Sequence, residues 1–146
     1  MKKRTQTNRV IFHHSLSSAS TKIDEIRSWH IKRGFCDIGY HYVIYPDGER
    51  VEGRDKSFIG AHALGNNFDS IGVCLIGDFH KYEPTEDQII CCERLYHQLC
   101  RYYSKSLKIA YHRIRGRENS CPGNMLNRYT FSKRLEKCNP YPEVLE

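Results

Sequence analysis

No stretch of this sequence stays apolar for the ~20 residues that a membrane-spanning helix needs, so no such span is expected. The basic start, MKKRTQTNRVIFHHS, lacks the apolar segment of roughly 7–15 residues that follows the head of a secretory signal. The chain is therefore expected to be made and folded in the cytoplasm, and to act elsewhere only after release or export. No C-x-x-C pair occurs among the seven cysteines, and their number is odd. That argues against both a disulfide framework and a zinc ribbon. Internal repeats, low-complexity segments and interdomain linkers are missing as well.

What is present describes one globular domain spanning residues 1–146, with 39% hydrophobic and 12% aromatic residues. The net charge is +6. Its lysines and arginines are spread along the chain, so the charge calls for an anionic partner or surrounding without choosing one. Nucleic acid, an anionic wall polymer and a merely solvated surface all fit. With no nucleic-acid motif and no zinc-finger spacing, nucleic acid is not expected as a partner. A monomer is expected.

Hydrophobic patterning predicts an α/β fold, a single mixed central β-sheet flanked by helices, in the order β-α-β-β-β-α-β-α. RVIFHHS reads as a buried strand. A helix follows, with Thr21 and Asp24 as a capping box, Ile23, Ile26 and Trp29 on one face, and Gly34 as its stop. IGYHYVIYPDGERVEG is two strands around Pro46-Asp47-Gly48, and SIGVCLIG is a fully apolar strand. PTEDQIICCERLYHQLCRYY is the strongest helix. Its box is Thr85 with Gln88, and Ile89, Cys92, Tyr96, Leu99 and Tyr103 share one face. LKIAYH is a strand ending at His112, and a last helix is expected from about Asn124 to Lys137. Cys74, Cys92 and Cys100 are expected to be buried thiols.

The stretch AYHRIRGRENSCPG puts an imidazole and a thiol at the two ends of one polar loop. With eight histidines and seven cysteines in the chain, chance placement is one reading. A metal site is the other. His13 and His112 both end strands, and adjacent strand ends can set two imidazoles on one side of a sheet, with Cys121 folding back from the loop. Two histidines and a cysteine, leaving a fourth position for water, are the ligand pattern of a catalytic zinc rather than a structural one.

Several separated blocks then carry a resemblance: VIFHHS, EIRSWHIKRGFCDIGYHYVIYPDGERVEGRD, GAHALGNNFDSIGVCLIG, TEDQ and the closing H…CP. In that order, from about Val10 to Leu135, they resemble the zinc-dependent N-acetylmuramoyl-L-alanine amidases. That family includes phage lysozymes, animal peptidoglycan recognition proteins and bacterial recycling amidases. The resemblance implies a Zn2+ cofactor on His13, His112 and Cys121, with His13 rather than His14 as the ligand. It places Tyr40 at the catalytic tyrosine and His62 and Asn67 along the substrate groove, with His41 a further groove candidate. Peptidoglycan or a muropeptide is the implied substrate. The bond cut would be the amide between N-acetylmuramic acid and L-alanine, with Tyr40 hydrogen-bonding the water or the developing oxyanion.

The sequence also departs from the family. Recycling-type relatives carry a glutamate near Cys74, which favours the phage-type branch here. Phage-type relatives place a lysine two positions before the cysteine, with seven residues between histidine and cysteine. Here eight residues separate His112 from Cys121, and Asn119 stands at the lysine's place. Asn119 is therefore the expected second catalytic group, with Arg117 as the alternative. Non-catalytic binding relatives typically lack the cysteine ligand, and Cys121 argues against that reading.

Overall fold

The computed structural model describes residues 1–112 and 121–141. In chain order the elements are β1 (Arg9–His14), α1 (Ile23–Lys32), β2 (Tyr42–Ile44), β3 (Arg50–Glu52), β4 (Ser70–Leu75), α2 (Glu86–Tyr103), β5 (Lys108–Tyr111) and α3 (Arg128–Glu136), with a single 3-10 turn at Asn67–Asp69 before β4. Type and order follow the expected α/β pattern. The sheet runs β3-β2-β4-β1-β5. β2, β4, β1 and β5 are mutually parallel, and β3 joins the edge antiparallel.

β1 and β4 lie inside the sheet, and from Val10 to His14 and Ser70 to Leu75 every residue is buried. That is why both read as continuous apolar runs rather than alternations. Their side chains still alternate between faces. Val10, Phe12, Ile71, Val73 and Leu75 pack into one core with Cys92, Leu95, Tyr96 and Leu99 of α2 and Phe131 and Leu135 of α3. Cys74 and Ile76 pack on the other face with Ile26 of α1, Ile38 and Val43. Each fully buried Leu, Ile or Phe contributes about 1.5–3 kcal/mol, so the α2–α3 side supplies most of the hydrophobic stabilisation.

The helix ends follow the chain's polar chemistry, with two corrections. α2 starts as expected: Thr85 Oγ1 accepts from Gln88 N, and Gln88 Oε1 accepts from Thr85 N, each at 3.0 Å. In α1 the Thr21–Asp24 box does not form: the helix begins at Ile23 behind Lys22, whose ammonium cannot accept a hydrogen bond, and only the return bond is made, the Glu25 carboxylate accepting from Lys22 N at 2.8 Å. α3 starts at Arg128 rather than about Asn124, because Asn127 caps it, its Oδ1 accepting from Thr130 N at 3.1 Å. Trp29 was expected on the buried face of α1 but is 42% exposed, and His30 takes the buried position beside Ile26. All seven cysteines are free thiols, and Cys74, Cys92 and Cys100 are buried.

Candidate metal centre and cleft

The register of the parallel strands builds the site. Phe12 of β1 pairs with Tyr111 of β5, and His112 N, just beyond that strand, donates to Phe12 O at 3.3 Å. Phe12 and Tyr111 point to the α2–α3 side. Strand alternation therefore turns the next residues, His13 and His112, to the α1 side at the carboxyl ends of their strands. Their rings stand 4.8 Å apart between centroids. Ligands of open parallel sheets gather at this end of the strands.

Cys121 reaches the same place from the returning chain. Its backbone is pinned twice. Arg128 donates to the Cys121 and Gly123 carbonyls at 3.2 and 3.4 Å. Gly123, at φ +96°, lies so close to Phe79 that an added Cβ would stand 2.5 Å from the Phe79 carbonyl carbon, so only glycine fits. Phe79 N in turn donates to His14 Nδ1 at 3.0 Å. The two adjacent histidines thus divide the work: His13 faces the cluster, and His14 anchors the segment against which the cysteine turn packs.

One ligand atom each from His13, His112 and Cys121 fall within 4.8 Å of one another, and Cys121 Sγ lies 4.0 Å from His13 Nδ1. Burial, followed by the imidazoles of His62 and His112, holds His13 well below the usual histidine value. Burial also lowers His112. Both rings therefore keep a lone pair to offer. Burial pushes the Cys121 thiol up to about 11, against the pull of the His14 backbone N–H and Arg128. A cation seated here would displace that proton, since the thiolate is the ligand. Two neutral imidazoles and one thiol, with no carboxylate joining them among the described residues, are a donor set that suits zinc.

Tyr40 sits beside the cluster, its ring 5.1 Å from that of His13 between centroids. Burial first, then the neighbouring thiols of Cys74 and Cys121, raise its hydroxyl well above the usual tyrosine value, so it stays a donor. His30, unnoticed in the sequence, props this segment: its Nδ1 accepts from Gly39 N at 2.8 Å, and its ring lies 5.3 Å from Tyr40. A cleft of about 410 Å³ opens alongside, lined by His30, Arg33, Tyr40, His62, Leu64, Asn67 and His112 among others.

The N-acetylmuramoyl-L-alanine amidase family model matches residues 3–124. The chain belongs to the N-acetylmuramoyl-L-alanine amidase family. It is 35% identical over 141 residues to the endolysin of Escherichia phage T7, covering 92% of each chain. It is 34% identical over 140 residues to the endolysin of Enterobacteria phage K11, covering 91% of each. Among solved structures it is similar to the N-acetylmuramoyl-L-alanine amidase LysC from Clostridium intestinale URNW, with a TM-score of 0.81, 27% identity, and 89% and 85% of the two chains covered. It is also similar to Drosophila peptidoglycan recognition protein SD, with a TM-score of 0.77, 25% identity, and 89% and 83% covered.

Within this amidase fold the other expected site residues separate. His62 and Asn67 reach the cleft, yet both are engaged internally. Asn67 Oδ1 accepts from His62 N and Ala63 N at 2.9 and 2.8 Å, and His62 Nδ1 lies 2.9 Å from His13 Nε2. His41 does not line the cleft. It is buried, its Nδ1 accepting from Gly72 N at 3.0 Å and its Nε2 donating to Phe58 O at 2.8 Å, so neither nitrogen is left for a substrate. Asn119 and Arg117 lie outside the described residues.

Proposed function

We propose that this chain is a zinc-dependent peptidoglycan amidase of phage lytic type, cutting the bond between N-acetylmuramic acid and L-alanine. The observation that carries the reading is the gathering of His13, His112 and Cys121 beside Tyr40 at the strand ends of an amidase-family fold. Presence of the thiol ligand argues against a non-catalytic binding module. Relatives of phage origin matched over 91–92% of their length, and the buried Cys74 near which recycling-type relatives carry a glutamate, favour lysis over recycling.

Zinc on these three ligands would supply Lewis acidity and, with it, a water that ionises at about pH 7. The chain's own groups do the rest. In the hydrolysis, hydroxide adds to the lactyl carbonyl carbon, the C–N bond breaks, and the proton from water ends on the amine of L-alanine. Tyr40, held protonated, donates a hydrogen bond to the oxyanion. Asn119, two positions before Cys121 in the sequence, is the second donor in this reading. Arg33, in a cleft whose described lining carries no carboxylate, favours the anionic stem peptide.

Purified peptidoglycan incubated with zinc-loaded protein should release new L-alanine N-termini, detectable by N-terminal labelling. Labelled glycan reducing ends without new L-alanine N-termini, or binding without any cleavage, would overturn this assignment.

A further inference from the structure

The hydrogen bonds behind His13 run in one direction only. Ser70 Oγ lies 2.7 Å from the Asn66 carbonyl. A carbonyl can only accept, so the Ser70 hydroxyl hydrogen is committed there. Ser70 Oγ is also 3.2 Å from His62 Nε2. With its own hydrogen used, Ser70 must accept, and His62 therefore carries its hydrogen on Nε2. A neutral imidazole has one N–H, so His62 Nδ1 is a bare lone pair. That lone pair faces His13 Nε2 at 2.9 Å. His13 must then carry its hydrogen on Nε2, leaving Nδ1 bare, and Nδ1 is the atom that faces Cys121 Sγ.

We infer that His62 is a positioning residue: backed by Ser70 and the Asn66 carbonyl, it fixes the hydrogen of His13 on Nε2 and so presents Nδ1 to the metal. The inference rests on the zinc reading above. It gives His62 a task other than touching substrate, since both of its ring nitrogens are already engaged.

The surroundings are built for a ring held in one place. An added Cβ at Gly72 would stand 2.5 Å from His62 Cγ and Cδ2, so β4 makes room for the imidazole by omitting a side chain. Asn67 fixes the His62 backbone through its two hydrogen bonds, as described above. The ring meets that of His13 edge-on, at 86° between planes. Metal-bound histidines usually donate their second N–H to a carboxylate, a carbonyl or water, groups that only accept or can turn to do so. An imidazole can present either a donor or an acceptor. Here it serves only because Ser70, itself oriented by a backbone carbonyl, settles which. The polarity of a metal ligand is thus set three hydrogen bonds away, in the turn that precedes β4.

The test compares the zinc dissociation constants, measured by chelator competition, of wild type and three variants. His62→Leu removes the acceptor and should weaken binding about 10–100-fold, the usual cost of losing such a partner. His62→Asn places an amide oxygen near the former Nδ1 and should recover most of that loss, which a merely space-filling role would not predict. Ser70→Ala frees His62 to present either edge and should give an intermediate loss. Nitrogen-15 spectra of the zinc-free wild type should show His13 and His62 both protonated at Nε2. A His13 protonated at Nδ1, or a folded His62→Leu protein that binds zinc as wild type does, overturns the inference. Wild-type protein that takes up no zinc would overturn the proposed function instead, and the spectra of the zinc-free protein would still decide the relay.

Discussion

The two faces of the sheet do different work, and His13 and His14 show it most plainly because they are neighbours in the chain. On the α2–α3 side the core is almost wholly apolar, from Val10 and Phe12 to Leu135. His14 points that way and serves as a hydrogen-bond acceptor for Phe79 N. On the α1 side the apolar cluster is small, and beyond it lie the imidazoles of His13, His30, His41 and His62. One side supplies stability, and the other uses that stability to hold polar groups in unfavourable, water-poor positions. Residue type does not separate the two histidines. The parity of the strand does.

The sharpest way to break this comparison is to remove each neighbour in turn. His13→Ala should abolish amidase activity and most zinc binding, by metal analysis of the folded protein. His14→Ala should keep the zinc but cost about 1–3 kcal/mol of stability, because Phe79 N is left unpaired in the core. The reverse pattern would put His14, not His13, on the metal side of β1.

Tyr40 tests the polar side alone. Tyr40→Phe should retain the fold and the metal while lowering kcat about 10²–10³-fold, the usual cost of one oxyanion donor. A variant with wild-type kcat would return Tyr40 to the role of a packing ring against His13 and His30.

Element order, the hairpin turn and the α2 capping box were all readable in the sequence, because turn residues and caps act locally. The choice of His13 over His14 was not readable from patterning. β1 is apolar on both faces, so alternation gives no parity, and only the likeness to a family decided it. His30 escaped notice because a polar residue on a helix reads as solvent-facing, whereas here it accepts from Gly39 N in the interior. His41 failed as a groove residue for a tertiary reason: Gly72 N and Phe58 O, far apart in sequence, close on its two nitrogens. The expected α3 start ran early because Asn124 and Asn127 are equally good caps by type.

A smaller effect is expected in the loop before Cys121. Asn119→Ala should lower kcat about tenfold and more than Arg117→Ala does, with zinc kept in both. Asn119 stands two positions before Cys121, the place at which phage-type relatives carry a lysine, and Arg117 stands two positions further back. The opposite order would give the role to Arg117.

The smallest effect distinguishes the two faces by pH. Burial, more than any other cause, lowers His30 and His41 from 6.5 to about 4. His41 shows why protonation is resisted. Its Nε2 already carries the hydrogen given to Phe58 O, so a second proton must go to Nδ1, which is occupied by Gly72 N–H. Well above pH 6.5 both rings are neutral in the folded and unfolded chains, and they contribute no pH dependence. Between 6.5 and about 4 the unfolded chain takes up protons that the folded one refuses, so stability falls as pH falls. Below about 4 the folded rings protonate too, and this contribution levels off. These two rings should take on the order of 5–10 °C from the Tm of the zinc-free protein across that window, and His13, His62 and His112, also lowered by burial, act in the same direction. The Gly39 and Gly72 amides, which lean on the two rings, should lose hydrogen-exchange protection before the strand amides next to the α2–α3 core do. His30→Asn keeps an acceptor near the former Nδ1 but cannot titrate, so its Tm should fall less steeply. A wild-type Tm that stays flat from pH 6.5 to 4 would mean that these imidazoles are not held neutral by the fold, and the contrast between the two faces would lose its electrostatic half.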